Sequence, residues 1–175
     1  VIGGTGGVGS MVVQMAKAMG AVVITTARNA ERGTKAIDLG ADHVIDYSRD
    51  DIMGEVRRLA PKGVNVYWET RRMPDFDQAI DVMAERGRMI VMAGRDSRPE
   101  FPVGPFYVKE CSLHGFVMFK ATAIEMRRCG DEMNRWMATG KLKANIARTM
   151  TIEQSAEAHR LQESESVGGK IVITL

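Results

Sequence analysis

A doubly wound α/β fold, a parallel sheet covered by helices on both faces, is predicted by three features of this sequence. Short β-branched segments alternate with helical ones along 175 residues, and parallel strands need helical crossovers of about a dozen residues. Five of the first nine positions in VIGGTGGVGS are glycine, set between Val1–Ile2 and a helical pattern. The chain closes on another β-branched run, KIVITL (170–175).

Each element has its own signal. Val8, Val12, Met15, Ala16 and Met19 recur at spacings of three and four, so a helix runs to Gly20. AVVITT (21–26) is short and β-branched, hence a buried strand. AERGTKAIDL (30–39) is a helix with Asn29 as its N-cap and Gly40 after its end. HVIDY (43–47) is the next strand, residues 48–59 a helix, and 61–63 a Pro/Gly turn. VNVYWE (Val64–Glu69) is a strand. Asp75 caps a helix carrying Phe76, Ala79, Ile80 and Met83, and GRMIVMAG (87–94) returns as a strand. Three prolines in 97–107 predict a loop, and SLHGFVMF (112–119) another strand. Residues 122–139 form an amphipathic helix with Met126, Cys129, Met133, Trp136 and Met137 on one face. A strand near 144–150, a helix over 152–163 and the strand 170–175 complete the chain.

Composition narrows the classes of partner. The chain is 45% hydrophobic and 26% charged with a net charge of +2, a globular profile with no demand for nucleic acid or a membrane surface. It has no apolar run long enough to span a bilayer and no signal peptide. Two cysteines, Cys111 and Cys129, read as thiols in a reducing cytoplasm. The thirteen methionines read as core filler. Only Val1 and Ile2 precede the glycines, too few for a strand, so the chain is expected to be a fragment of a longer protein.

Gly4, Gly6 and Gly9 make a G-x-G-x-x-G pattern between a strand and a helix, the context in which this motif marks a dinucleotide site. Gly4 permits the tight turn, Gly6 lets backbone approach a pyrophosphate, and Gly9 lets helix and strand pack closely. The helix start offers free N–H groups and a positive dipole end to an anion. No G-K-[ST] follows, which argues against a P-loop. A carboxylate about 20 residues on would hold the ribose hydroxyls of NAD. Here Ala27 takes that position, with Arg28 next and Arg32 one turn later. Guanidinium groups hold a 2′-phosphate that a carboxylate would repel, which favours NADPH over NADH. The plainer alternative is that both arginines decorate a solvated surface.

With these residues in view, the chain resembles the medium-chain dehydrogenase/reductases, and within them the zinc-independent quinone oxidoreductase, or zeta-crystallin-like, branch. The matching stretches are GGTGGVGS, QMAKAMGAVVITTARNAER, LGADHVIDY, RGRMIVMAG, LHGFVMF and AEAHRLQES…GGKIVITL, in family order. The resemblance implies a Rossmann domain over 1–141 and a segment, 142–175, returning to a substrate domain that would precede the fingerprint. It implies that Thr5, Gly6, Gly7 and Val8 line the approach to pyrophosphate and nicotinamide. Arg28 and Arg32 would sit near the 2′-phosphate and Tyr47 near the adenosine. Thr70, Ala93, Gly94, Gly115, Phe116 and Val117 would border the cofactor at later strand ends. Strand 112–119 would be the edge through which two copies pair as a homodimer. One departure stands out: Glu69, Thr70 and Arg71 replace a small, glycine-rich turn of this branch.

The implied reaction is NADPH-dependent reduction of a quinone or conjugated enone, in which the cofactor carries the hydride and the protein sets distance and angle. No metal is expected: His43, His114 and His159 are scattered, with neither H-E-x-x-H nor C-x-x-C. No Y-x-x-x-K pair follows Tyr47, Tyr67 or Tyr107, and no catalytic residue is identified. Two other readings stand beside this one: an NADPH-binding module without turnover, and a zinc-dependent alcohol dehydrogenase of the same superfamily.

Overall fold

The computed structural model describes residues 1–164 and 167–175; Glu165 and Ser166, inside the expected return segment 142–175, lie outside the described residues. The elements, in order, are α1 (Gly9–Ala18), β1 (Ile24–Ala27), α2 (Ala30–Asp38), β2 (His43–Asp46), α3 (Ile52–Leu59) and β3 (Val64–Glu69). There follow α4 (Phe76–Val82), β4 (Met83–Val91), α5 (Val103–Val108), β5 (Ser112–Gly115), α6 (Ala123–Ala138), β6 (Ile146–Thr151), α7 (Ser155–Ser164) and β7 (Lys170–Thr174). Every strand pairing is parallel: β1 with β2, β3–β4–β5 in that order, and β6 with β7.

Val1 and Ile2 join the first two of these sheets. The Val1 amine donates to the Ile24 carbonyl at 2.8 Å, the Ile2 amide to the Trp68 carbonyl at 2.9 Å, and Thr26 N–H to the Val1 carbonyl at 3.3 Å. The continuous order is therefore β2, β1, Val1–Ile2, β3, β4, β5. Neighbouring residues alternate between two cores, as strand periodicity requires. Val1, Val23 and Val44 pack with Val13 and Ala36 on the α1–α2 side. Ile2, Ile24 and Ile45 pack with Met53, Val56, Ala79 and Met89 on the α3–α4 side. Both faces are covered, and the fold is the doubly wound α/β class.

Local caps explain where helices start. Asn29, Asp51 and Asp75 each accept an N–H from the first turn of α2, α3 and α4. Asp51 also explains why α3 begins at Ile52 rather than at residue 48: residues 46–50 are tied in a turn, with Ser48 N–H and Oγ both donating to Asp46 Oδ1.

Five further expectations are corrected. The strand placed at 87–94 starts at Met83 and ends at Val91. Its early start passes through a left-handed Arg86, φ 58°, whose N–H bonds the Lys109 carbonyl at 2.7 Å. The loop expected over 97–107 contains α5, because Pro105 falls in its first turn, where a missing N–H costs nothing. The strand expected over 112–119 stops at Gly115 and turns into a 3₁₀ segment, Met118–Lys120, because β4, its partner among the described residues, ends at Val91. The helix expected over 122–139 is present, but its apolar stripe is not core. No α6 residue is buried, and Met126, Met133 and Met137 are 46%, 42% and 43% exposed. The C-terminal prediction also splits, into a 3₁₀ turn Ile152–Gln154 and α7.

The end of α4 is held from a distance. Lys109 Nζ donates to the carbonyls of Ile80, Asp81 and Met83 at 2.7, 2.8 and 3.0 Å, completing acceptors that the helix leaves open. Replacing Lys109 by methionine keeps the stem and removes these bonds, and is expected to lower stability by about 2 kcal/mol. A urea midpoint unchanged at constant slope would show that water replaces the ammonium without cost.

Candidate functional site

The site lies at the carboxyl ends of the strands. β1 and β3 flank Val1–Ile2, and chain order reverses there, so a crevice opens at the topological switch point. The glycine turn fills its floor. Gly3 has a left-handed φ of 72°, and a Cβ on it would stand 2.9 Å from Thr70 Oγ1. A Cβ on Gly9 would overlap the Gly3 carbonyl, so the start of α1 presses directly on the turn. Gly4, Thr5 and Gly9 are buried, whereas Gly6, Gly7 and Val8 are exposed.

α1 starts without a side-chain cap and without an acid in its first turn. The Gly6 amide bonds the Gly3 carbonyl at 3.0 Å, but among the described residues the amides of Gly7 and Val8 have no partner. These unpaired N–H groups, on exposed residues, lie at the positive end of a ten-residue helix, an arrangement that binds anions.

A residue that the sequence reading missed stands over them. A cleft of about 250 Å³ is lined by Gly6 and Gly7 on one side and by residues 167–171 on the other. Lys170 Nζ lies 3.5 Å from where a Cβ of Gly7 would be. The sequence signal was present in GGK at the start of β7, but only the folded chain brings residue 170 to residue 7.

At the β1–β2 end of the crevice, Ala27 closes β1 and is buried, with Arg28 exposed and Arg32 half-buried just beyond. Tyr47 N–H bonds the Ala27 carbonyl at 3.0 Å, which brings Tyr47 beside the arginines with a partly exposed ring. Asp46 is in register with Ala27. Hydrogen bonds from Ser48 hold its carboxyl below the usual range, so it stays ionised.

On the other side, Thr70 Oγ1 donates to the Ile2 carbonyl at 2.7 Å, tying the loop after β3 to the first strand position. Glu69, 1% exposed, is chelated by Arg71: Nε lies 3.0 and 3.1 Å from the two carboxylate oxygens, Nη2 2.7 Å from Oε2, and the Arg71 amide 2.8 Å from Oε1. The bulky departure read in the sequence is thus an internal ion pair. Behind it, the Tyr67 hydroxyl is buried without a partner among the described residues, and desolvation drives its ionisation far upward. Ala93 and Gly94 follow β4, Gly94 with φ 83°. Gly115 ends β5 and Phe116 and Val117 follow it, the Phe116 amide reaching the Val91 carbonyl at 3.0 Å. All the expected positions therefore fall along one edge, in the order Arg28–Tyr47, the glycine turn, Thr70, Ala93–Gly94, Gly115–Val117.

This is the architecture of a dinucleotide-binding α/β domain. A model of the family described as zinc-binding dehydrogenase matches residues 7–135. The chain belongs to that family, within the medium-chain dehydrogenase/reductases. A quinone oxidoreductase of Salmonella typhimurium is 28% identical over 179 residues, covering 96% of this chain and 54% of the relative. The chain thus spans about half the length of that curated relative. The crystal structure of an NAD-dependent alcohol dehydrogenase superposes with a TM-score of 0.84 at 30% identity, covering 99% of this chain and 50% of the other. A quinone oxidoreductase of Escherichia coli complexed with NADPH shares the fold, with a TM-score of 0.82 at 22% identity over 99% of this chain and 56% of that one.

The family description implies zinc, and the described residues do not fit it: no group of three or more His, Cys, Asp or Glu side chains comes together. Among the described residues, no helix is long and apolar enough to cross a membrane.

Proposed function

We propose that this chain is the cofactor-binding part of an NADPH-dependent oxidoreductase that reduces a quinone or a conjugated enone. The observation carrying the reading is the uncapped start of α1, where the amides of Gly7 and Val8 have no partner among the described residues and the Lys170 ammonium lies 3.5 Å from where a Cβ of Gly7 would be. The cofactor supplies the hydride when bound. The chain's own groups bind and orient. Gly6, Gly7, Val8 and Lys170 hold the diphosphate, and Arg28 and Arg32 hold the 2′-phosphate with Tyr47 beside the adenosine. Thr70, Ala93, Gly94, Gly115, Phe116 and Val117 border the nicotinamide end. Residues 1–141 form the nucleotide domain in this proposal, and 142–175 return toward a substrate domain.

Reduction balances with one hydride and one proton. An enone receives hydride at its β-carbon and a solvent proton at its α-carbon, and a quinone becomes a hydroquinone. The exposed edge of β5, with Leu113, Phe116 and Val117 also exposed, supports pairing of two copies. The free Cys111 and Cys129 support a reducing compartment such as the cytoplasm.

Titration of the complete protein with both cofactors tests the reading. NADPH is expected to bind about tenfold more tightly than NADH, and the double change Arg28→Ala, Arg32→Ala to erase the difference. Tighter NADH binding would overturn the assignment to NADPH. Binding without loss of nicotinamide absorbance on adding quinones would favour a binder without turnover.

A further inference from the structure

Two loops lock together at the nicotinamide end of the crevice. Gly94 adopts a φ of 83°, and a Cβ there would overlap the Arg72 carbonyl, so the loop after β4 packs directly on the loop after β3. Residues 70–72 and 93–98 thereby form one rim. Its charged residues are Arg71, Arg72, Arg95, Arg98 and Asp96, with Glu69 buried beneath. Arg71 is neutralised by Glu69, and Arg98 Nη1 donates to the Ser97 carbonyl at 2.8 Å. Arg72 and Arg95 are exposed, and neither has an ion pair among the described residues.

The cofactor has no need of these two charges. Its diphosphate is accounted for at Gly7, Val8 and Lys170, and its 2′-phosphate lies beyond Val1–Ile2, beside Arg28. The nicotinamide end carries no negative group. A surplus of guanidinium at that end suits an anion on the other reactant, since a planar fork matches a carboxylate in a bidentate fashion.

Resting on the reading above, we propose that Arg72 and Arg95 select an acceptor that carries a carboxylate next to its conjugated double bond. Hydride passes to one alkene carbon and a solvent proton to the other. The carboxylate is unchanged, and the products are the saturated acid and oxidised cofactor.

The test compares β-acetylacrylate, an enone with a carboxylate, with its methyl ester and with benzoquinone, using the complete protein and NADPH. The acid is expected to exceed the ester in kcat/KM by about tenfold, carried by KM. The double change Arg72→Gln, Arg95→Gln is expected to bring the acid-to-ester ratio to about one, and Arg95→Glu to push it lower. Both side chains are exposed, so folding is not at stake, and Arg72→Lys with Arg95→Lys should retain part of the preference. Equal use of acid and ester, or a ratio that survives the double change, overturns the proposal while benzoquinone turnover leaves the hydride-transfer reading standing. Absence of turnover with all three acceptors overturns both.

Discussion

Replacing Arg71 by alanine is expected to lower the unfolding free energy by about 3 kcal/mol. Glu69 is 1% exposed, and Arg71 gives it four hydrogen bonds: two from Nε, one from Nη2 and one from its own amide. Removing the guanidinium leaves an ionised carboxylate under the loop with little water to replace it, and uncompensated buried charge is among the costliest single-site defects. The Arg71 side chain is 37% exposed, which places the expectation at the low end of the usual range for buried pairs. Adding Glu69→Gln to the Arg71→Ala variant should recover most of the loss, because the neutral amide keeps the volume without the charge. Urea titration of both variants decides the matter. A loss below about 1 kcal/mol for Arg71→Ala would mean that solvent reaches Glu69 and that the pair is ornamental.

The second large effect is expected at the glycine turn. Gly7→Asp should weaken NADPH binding about a hundredfold while the protein stays folded. The position is exposed, and among the described residues the only atom within 4 Å of an added Cβ, chain neighbours aside, is Lys170 Nζ, so the new side chain has room. Its carboxylate would pair with Lys170, cancelling that cation, and would place a negative charge at the proposed diphosphate site. Each lost or reversed charge-assisted contact is worth about 1.5–3 kcal/mol. Lys170→Gln separates the two contributions and should cost about tenfold by itself. Fluorescence titration with NADPH reads both. Binding by Gly7→Asp within about threefold of the parent would move the diphosphate elsewhere.

Much of this arrangement was legible before any coordinates. Alternating β-branched and amphipathic runs identified the layers, and Val1–Ile2 behaved as the end of a strand between two others. Asn29 and Asp75 cap the helices they were expected to cap. What escaped did so for physical reasons. Pro105 reads as a breaker in a linear pattern, yet the first turn of a helix tolerates it. The strand at Ser112 is apolar for longer than it is paired, because pairing depends on where β4 ends and not on the strand's own residues. Periodicity in α6 reports that one stripe is apolar, and says nothing of what covers it. Lys170 belongs to the site only through the fold. Glu69, Thr70 and Arg71 read only as a departure from a glycine-rich turn, because one carboxylate and one guanidinium two residues apart gave no hint that they would pair.

Leaving α1 without a cap has a metabolic corollary. A ligand that occupies those amides finishes the helix, so part of the native state's stability resides in the nicotinamide pool rather than in the polypeptide. At free cofactor about a hundred times its dissociation constant, this linkage contributes about 2.7 kcal/mol. Melting temperature should climb with added NADPH, and cells starved of it should hold a larger unfolded fraction of this protein within reach of their proteases.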